Sequence, residues 1–232
     1  MKIRTLFTDR NGGVSRPPYQ SFNLAFHTGD DPAAVKRNRE ILKKRTGVSS
    51  IVWMDQVHGD RVETVDISTP SPLLACDAIV TDESDLALAV MVADCIPILL
   101  SDKTKGVIAA IHAGRNGTLK EIAKKTVETM QKNFGSTPAD IEAKLGPSIC
   151  ERCYEVSKQI ADIVKKSFGS SYVNGRYLNL RRLNFDQLTG AGLKPEKIEI
   201  SDICTKCTEE YFSYRKEGVT GRFAGVIWIE KR

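Results

Sequence analysis

Three short segments of this 232-residue chain place a metal-capable or nucleophilic side chain at the edge of an apolar run, beside small residues. They are Gln56-Val57-His58-Gly59, Val92-Ala93-Asp94-Cys95 and Ile111-His112-Ala113-Gly114. Strand ends are rigid platforms, and a neighbouring glycine lets backbone or substrate come close to a ligand. If the three converge they form a His2Cys set, a ligand pattern of catalytic zinc that leaves a fourth position for water or substrate. Their spacing is not that of a local motif, so the residues also allow two separately hydrogen-bonded histidines and a core thiol. A further reading makes Cys95 a nucleophile activated by His112 and oriented by a carboxamide or carboxylate. Metal content separates these readings, because a zinc-bound thiolate is held and partly neutralised whereas a catalytic thiolate is free to attack.

A second constellation consists of Cys150-Glu151-Arg152-Cys153 and Cys204-Thr205-Lys206-Cys207, two Cys-x-x-Cys pairs about fifty residues apart. Four-thiolate zinc sites usually separate their pairs by about 15–20 residues. The chain between these pairs carries helix and strand patterns rather than a ribbon loop. The four are therefore read as ordinary, partly buried thiols, with a structural zinc or a redox pair as the less favoured alternatives. Cys76 is read as a core or loop residue.

Composition narrows the class. The 34 Lys and Arg residues against 29 Asp and Glu leave a formal charge of +5. The basic residues fall in short runs, Lys43-Lys44-Arg45, Lys124-Lys125 and Arg181-Arg182. These read as solvated helix faces, and no nucleic-acid partner is expected. With 41% apolar and 27% charged residues the chain can bury enough surface to offset its ordering entropy, which excludes disorder. The most apolar stretch, Leu86 to Leu100, is interrupted at Asp94 and Cys95 and falls short of the roughly 20 residues that cross a bilayer. No secretory h-region precedes it. The expected compartment is the cytoplasm, with no membrane partner, where six cysteines do not make a disulfide framework. A phosphate loop, a Gly-x-Ser-x-Gly elbow, a dinucleotide fingerprint and the zinc deaminase signature are all missing.

The elements that must position the candidates follow from periodicity. Thr8 to Pro32 is rich in Asn, Gly and Pro and reads as a long loop, a place where function often resides. A helix is predicted from Asp30 or Asp31 as N-cap to about Arg45, stopped by Gly47, with Val35, Ile41 and Leu42 inward. Strands are predicted at Ile51–Met54, Arg61–Ile67, Leu86–Val92, Ile96–Leu100, Gly106–Ile111, Ile141–Leu145, Ile198–Ile203 and Phe223–Ile229. Ala113–Gly117 reads as a turn, Thr118–Phe134 as one helix and Glu155–Phe168 as another. No repeat or linker divides the chain, so residues 1–232 are read as a single domain. Strands and helices mix without a strict β-α-β rhythm, which predicts an α+β fold with a mixed sheet or two stacked sheets.

Taken in order, the segments Thr8-Asp9-Arg10-Asn11-Gly12-Gly13-Val14-Ser15, Ser21-Phe22-Asn23-Leu24, His27-Thr28-Gly29-Asp30-Asp31, Gln56-Val57-His58-Gly59, Ala93-Asp94-Cys95, His112-Ala113-Gly114, Leu145-Gly146-Pro147, Cys153-Tyr154-Glu155-Val156 and Phe212-Ser213-Tyr214-Arg215 resemble the laccase-domain family. Its members have been called multicopper polyphenol oxidoreductases, peptidoglycan editing factors and purine nucleoside phosphorylases. The resemblance runs from about residue 5 to residue 229. It implies a single-domain α/β sandwich with mixed sheets, similar to the catalytic domain of cytotoxic necrotizing factors. It implies zinc, with copper as the other candidate, held by His58, Cys95 and His112, which are then also the catalytic residues. The implied reaction is phosphorolysis of adenosine, inosine and methylthioadenosine, with adenosine deamination as a companion, so the partners are a nucleoside and phosphate. One departure stands out: the family commonly continues His-Ala-Gly with Trp-Arg-Gly, whereas this chain has Arg115-Asn116-Gly117.

Substrate contacts are expected from Asn23 and His27 in the long loop, Arg39 on the first helix, Gln56, Asp94 and Arg115. Each has a plainer reading: a turn former for Asn23, a carbonyl-bonded loop histidine for His27, a surface residue for Arg39, and a turn cap or ligand-orienting carboxylate for Asp94. Two other functions fit the same residues. An editing hydrolase would cleave an amide of a muropeptide precursor with Cys95 or zinc-bound water. Copper-dependent phenol oxidation is disfavoured, because three histidines cannot furnish a multicopper site of the usual kind.

Overall fold

The computed structural model describes residues 2–230. In chain order its elements are β1 (Ile3–Phe7), α1 (Pro32–Thr46), β2 (Ser50–Trp53), β3 (Val62–Thr64), β4 (Ala78–Thr81), β5 (Leu86–Val92), β6 (Ile96–Asp102), β7 (Val107–Ala113), α2 (Arg115–Leu119) and α3 (Ile122–Phe134). They continue with β8 (Glu142–Leu145), α4 (Lys158–Phe168), β9 (Val173–Asn174), β10 (Tyr177–Leu178), α5 (Leu180–Gly190), β11 (Ile198–Ile200), α6 (Tyr214–Glu217) and β12 (Phe223–Ile229). One sheet has the order β1-β12-β5-β2 and the other β11-β8-β6-β7-β4-β3, with β9 and β10 as a separate hairpin. Both sheets mix parallel and antiparallel neighbours: β2 runs parallel to β5 and β12 antiparallel to it, while β11 is parallel to β8 and β8 antiparallel to β6.

Alternation of side chains along a strand sorts these residues into three cores. On β5, Leu86, Leu88, Val90 and Val92 join Ile108 and Ala110 of β7 and Leu99 of β6 in the layer between the sheets. Ala87, Ala89 and Met91 face the other way, toward Leu42 of α1 and Phe22 and Leu24 of the long loop. Ile96, Ile98, Val107, Ala109 and Ile111 cover the far side of the larger sheet and pack against α3, α4 and α5. The layers run helix, sheet, sheet, helix, which gives a mixed α/β sandwich. Burying a Leu or Ile side chain stabilises by about 1.5–3 kcal/mol, so the fully buried β5 is among the hardest segments to displace.

Most predicted elements are present, with instructive exceptions. Asp31 caps α1 through Ala33 N–H, and Gly47 closes it in the left-handed region at φ 72°. The single helix expected over Thr118–Phe134 is two helices, and the turn expected over Ala113–Gly117 is divided between the end of β7 and the start of α2. The break is at Glu121, whose φ is 60°. Gly117 packs so tightly on the loop before β3 that a Cβ there would lie 2.9 Å from the Gly59 carbonyl, so α2 abuts that loop while α3 must lie on the sheet. The strands expected over Arg61–Ile67 and Ile198–Ile203 shorten to β3 and β11, and the helix expected from Glu155 starts only after Ser157, which caps Ile160 N–H. β1, β4 and α5 were not anticipated from the pattern. Arg181 departs from the solvated-face reading: its guanidinium donates to the carbonyls of Ser148, Ser201 and Ile203.

Candidate metal centre

His112, next to last in β7, lies on the even-numbered face, the one its neighbours Ile108 and Ala110 turn toward the space between the sheets. Cys95 enters the same space from Ala93-Asp94-Cys95, the three residues by which the chain crosses from β5 in one sheet to β6 in the other. His58 comes from the loop after β2 and sits at φ 59°, in the left-handed region. One ligand atom from each of His58, Cys95 and His112 lies within 4.8 Å of the others. The two imidazole rings meet edge to face with centroids 4.7 Å apart. A side chain at Gly114 would intrude, since its Cβ would stand 3.1 Å from Cys95 Sγ and 3.3 Å from His58 Cδ2.

The residue that assembles this centre is Asp77, fully buried just before β4. Its carboxylate accepts three successive backbone N–H groups, from Val57 (3.2 Å), His58 (2.9 Å) and Gly59 (2.7 Å). It also meets His112 Nδ1 at 2.7 Å, which leaves Nε2 of that ring for Cys95. A carboxylate behind a histidine fixes its tautomer and raises its basicity, the usual arrangement behind a metal-ligating imidazole. Burial pushes the Asp77 carboxyl up, but His112 and the N–H groups of Gly59 and His58 outweigh it and hold the group below the usual carboxylate range.

Charge is distributed to favour the ligand form of the thiol. Burial pushes Cys95 up, yet the charge of His112 and hydrogen bonds from His112 and His58 bring it well below an ordinary thiol. Burial works against a charged His112, but the Cys95 thiolate and the Asp77 bond raise it. Both shifts favour the thiolate form of Cys95, the form in which a cysteine binds a metal.

A cavity of about 310 Å³ opens onto the three residues and is lined further by His27, Gln56, Met91, Tyr214 and Arg222. Arg222 lines this space, spends Nη1 on the carbonyls of Thr220 and Gly221, and lies over the Tyr214 ring at 5.8 Å. Another cavity, about 330 Å³ beside the β9–β10 hairpin, is lined by none of the candidate residues.

A family model described as multi-copper polyphenol oxidoreductase laccase matches residues 4–230. The chain belongs to this family. A purine nucleoside phosphorylase of Mycobacterium tuberculosis is 41% identical to it, over 99% of this chain and 93% of that one. Another, from Streptomyces coelicolor, is 40% identical over 97% of this chain and 94% of its own length. Among solved structures, the Bacillus licheniformis hypothetical protein YfiH superposes with a TM-score of 0.94 at 32% identity, covering 98% of this chain and 93% of that one.

Within this family member the remaining predicted contacts divide into two groups. His27 stands at the cavity, where partial burial, and then the charge of Arg222, lower its pKa below the ordinary value. Gln56 lines the cavity too, but its amide is spent on Met91, donating to its carbonyl (2.7 Å) and accepting its N–H (2.8 Å). Asn23, Arg39, Asp94 and Arg115 are not in the cavity wall. Asn23 is fully buried and joins the long loop to β12, accepting from Ala25 and Arg222 N–H. Arg39 lies over the Trp53 and Phe26 rings, donates to the Leu24 carbonyl, and is lowered to about 10 by burial. Arg115 opens α2, its Nε donating to Asn116 Oδ1 at 3.3 Å.

Asp94, at φ 92°, accepts from Thr205 Oγ1 and Ser213 Oγ (2.7 Å each) and from Arg215 N–H (2.6 Å). It anchors the loops beside Cys95. Sequence reasoning missed Asp77, Tyr214 and Arg222. Asp77 did carry a signal: an acid immediately before the apolar run Ala78–Val80 must find donors when that run is buried.

Proposed function

We propose that this chain is a zinc-dependent purine nucleoside phosphorylase acting on adenosine, inosine and methylthioadenosine, with adenosine deamination as a companion reaction. The observation that carries the reading is one cavity that brings the His58–Cys95–His112 ligand set together with Arg222, His27 and Tyr214. Its volume falls in the range of small-molecule sites, about 300–1,000 Å³. Residues 1–232 act as one unit in this reading, with a nucleoside and phosphate as partners and no nucleic acid.

The donor set suits zinc: two imidazoles, one of them oriented by Asp77, and a thiol held toward its anionic form, with room beside Gly114. Met91 turns its side chain toward α1, where Sδ is engaged by Arg39 Nη2 at 3.5 Å, which disfavours a blue-copper arrangement with an axial methionine. When bound, zinc supplies a Lewis acid for a substrate oxygen, or lowers the pKa of a water for deamination.

The protein groups supply positioning and charge. Phosphorolysis joins a phosphate oxygen to C1′ as the C1′–N9 bond breaks, and the electron pair leaves on the purine, which takes up a proton. Arg222 is the cation of the cavity wall and holds the anionic nucleophile against C1′. Tyr214, 61% exposed, offers a ring face on which a purine stacks. Neutral His27 is placed to hydrogen-bond a ribose hydroxyl. Asp77 keeps His112 oriented throughout, and Gln56 keeps β5 and the His58 loop in register.

The test is metal analysis by mass spectrometry together with chromatography of adenosine and phosphate. Adenine and ribose 1-phosphate should appear, and Cys95→Ala should remove both the metal of this centre and turnover. Equal activity in a metal-free preparation would sink the zinc reading. Release of an amino acid from a muropeptide precursor, without nucleoside turnover, would replace the phosphorylase with the editing hydrolase.

A further inference from the structure

The two Cys-x-x-Cys pairs, read from their spacing as ordinary thiols, come together. Sγ atoms of Cys150, Cys153, Cys204 and Cys207 all lie within 4.8 Å of one another, and Cys153 and Cys207 are 3.4 Å apart. Four sulfurs at about 2.3 Å from a tetrahedral zinc stand about 3.8 Å from each other, so the cluster already has the size of an S4 cage. The pairs are equivalent in form. Each is a tight turn closed by its own backbone, Cys153 N–H to the Cys150 carbonyl (3.0 Å) and Cys207 N–H to the Cys204 carbonyl (3.1 Å). Cys150 N–H also points at Cys204 Sγ, at 3.3 Å, a donor that stabilises a thiolate.

The surroundings hold the two turns in place independently of the sulfurs. Ser148 bridges Cys204 in parallel, with Thr205 N–H donating to the Ser148 carbonyl at 3.1 Å. Arg181 donates to the carbonyls of Ser148, Ser201 and Ile203 on both sides of the junction. Preorganised turns lower the cost of closing a metal site, and the exposed Cys207 gives an ion its way in.

We propose that Cys150, Cys153, Cys204 and Cys207 bind a second zinc ion, a closed structural site distinct from the His58–Cys95–His112 centre. Four thiolates saturate tetrahedral zinc, so this site holds no water and does no chemistry. It clamps the loop after β8 to the loop after β11. Those loops carry Tyr154 and lead into Ser213, Tyr214 and Arg215, so the clamp sets one wall of the catalytic cavity. The proposal is independent of which reaction that cavity performs.

Metal content of the full chain purified under reducing conditions is the first measurement. Two zinc ions per chain are expected in the wild type, one in Cys95→Ala, one in Cys204→Ser/Cys207→Ser, and none when all three substitutions are combined. X-ray absorption on Cys95→Ala, which leaves the four-cysteine cluster untouched, should show zinc with four sulfurs at about 2.3 Å and no nitrogen. Zinc in Cys95→Ala with nitrogen ligands, a zinc content that Cys204→Ser/Cys207→Ser leaves unchanged, iron in place of zinc, or a Cys153–Cys207 disulfide in the intact mass would each overturn it.

Discussion

The two clusters of soft ligands in this chain are built on different supports. His58, Cys95 and His112 hang from β-strand ends or from a loop pinned by Asp77, and they face a cavity. Cys150, Cys153, Cys204 and Cys207 sit on two loop turns that face each other. Three ligands with an open side make a reactive centre, and four ligands that close on themselves make a staple. Asp94 joins the two regions. It precedes Cys95, its carbonyl accepts Ile149 N–H beside one cysteine turn, and its carboxylate accepts Thr205 inside the other.

That contrast can be broken experimentally. The largest effect is expected from Cys95→Ala, which should lower nucleoside turnover by more than about a thousandfold while the fold, followed by circular dichroism, persists. Retained turnover would mean that the open cluster is not the reactive one. Asp94→Ala should come next, at about 3 kcal/mol of stability or more in denaturant unfolding, because Thr205, Ser213 and Arg215 N–H lose a charged acceptor together. It should also weaken metal binding at both clusters. An effect confined to one of them would show that the regions are not mechanically linked.

Asp77→Asn keeps the volume but removes the charge behind His112, and a loss of about 10–100-fold in metal affinity is expected by competition with a chelator. The smallest effect belongs to His27→Gln. The wild-type pKa is depressed, so the folded state binds fewer protons than the unfolded chain just below pH 6.5, and stability there rises with pH. The substitution should flatten that slope and raise KM several-fold, measured by unfolding and initial rates across pH 5–8.

Much of the scaffold was legible. Consecutive apolar residues marked β5 and β12 correctly, and Asp31, Pro32 and Gly47 bounded α1. What escaped had mixed or short signals. β1 pairs only with β12 and is partly exposed, so its pattern is weak. The helical pattern through Thr118–Phe134 was real on both sides of Glu121, but periodicity carries no trace of the close approach of Gly117 to the Gly59 carbonyl or of the left-handed backbone at Glu121 that separates α2 from α3. Arg181 looked like a solvated charge because its carbonyl partners lie on other segments.

By itself the sequence determined which side chains could do chemistry and where the chain turns: histidine and cysteine at the ends of apolar runs, glycine where a Cβ would intrude, paired cysteines three residues apart. Those are properties of residue type and local backbone. Tertiary structure alone decided which of them meet. The β4–β7 register, with Ala78 opposite Ile111, sets Asp77 beside His112, and the crossing from β5 to β6 delivers Cys95 to both histidines. The two cysteine turns, 54 residues apart, close on each other because parallel β8 and β11 bring their following loops side by side. Convergence over such distances depends on strand order and register, which residue types do not encode locally.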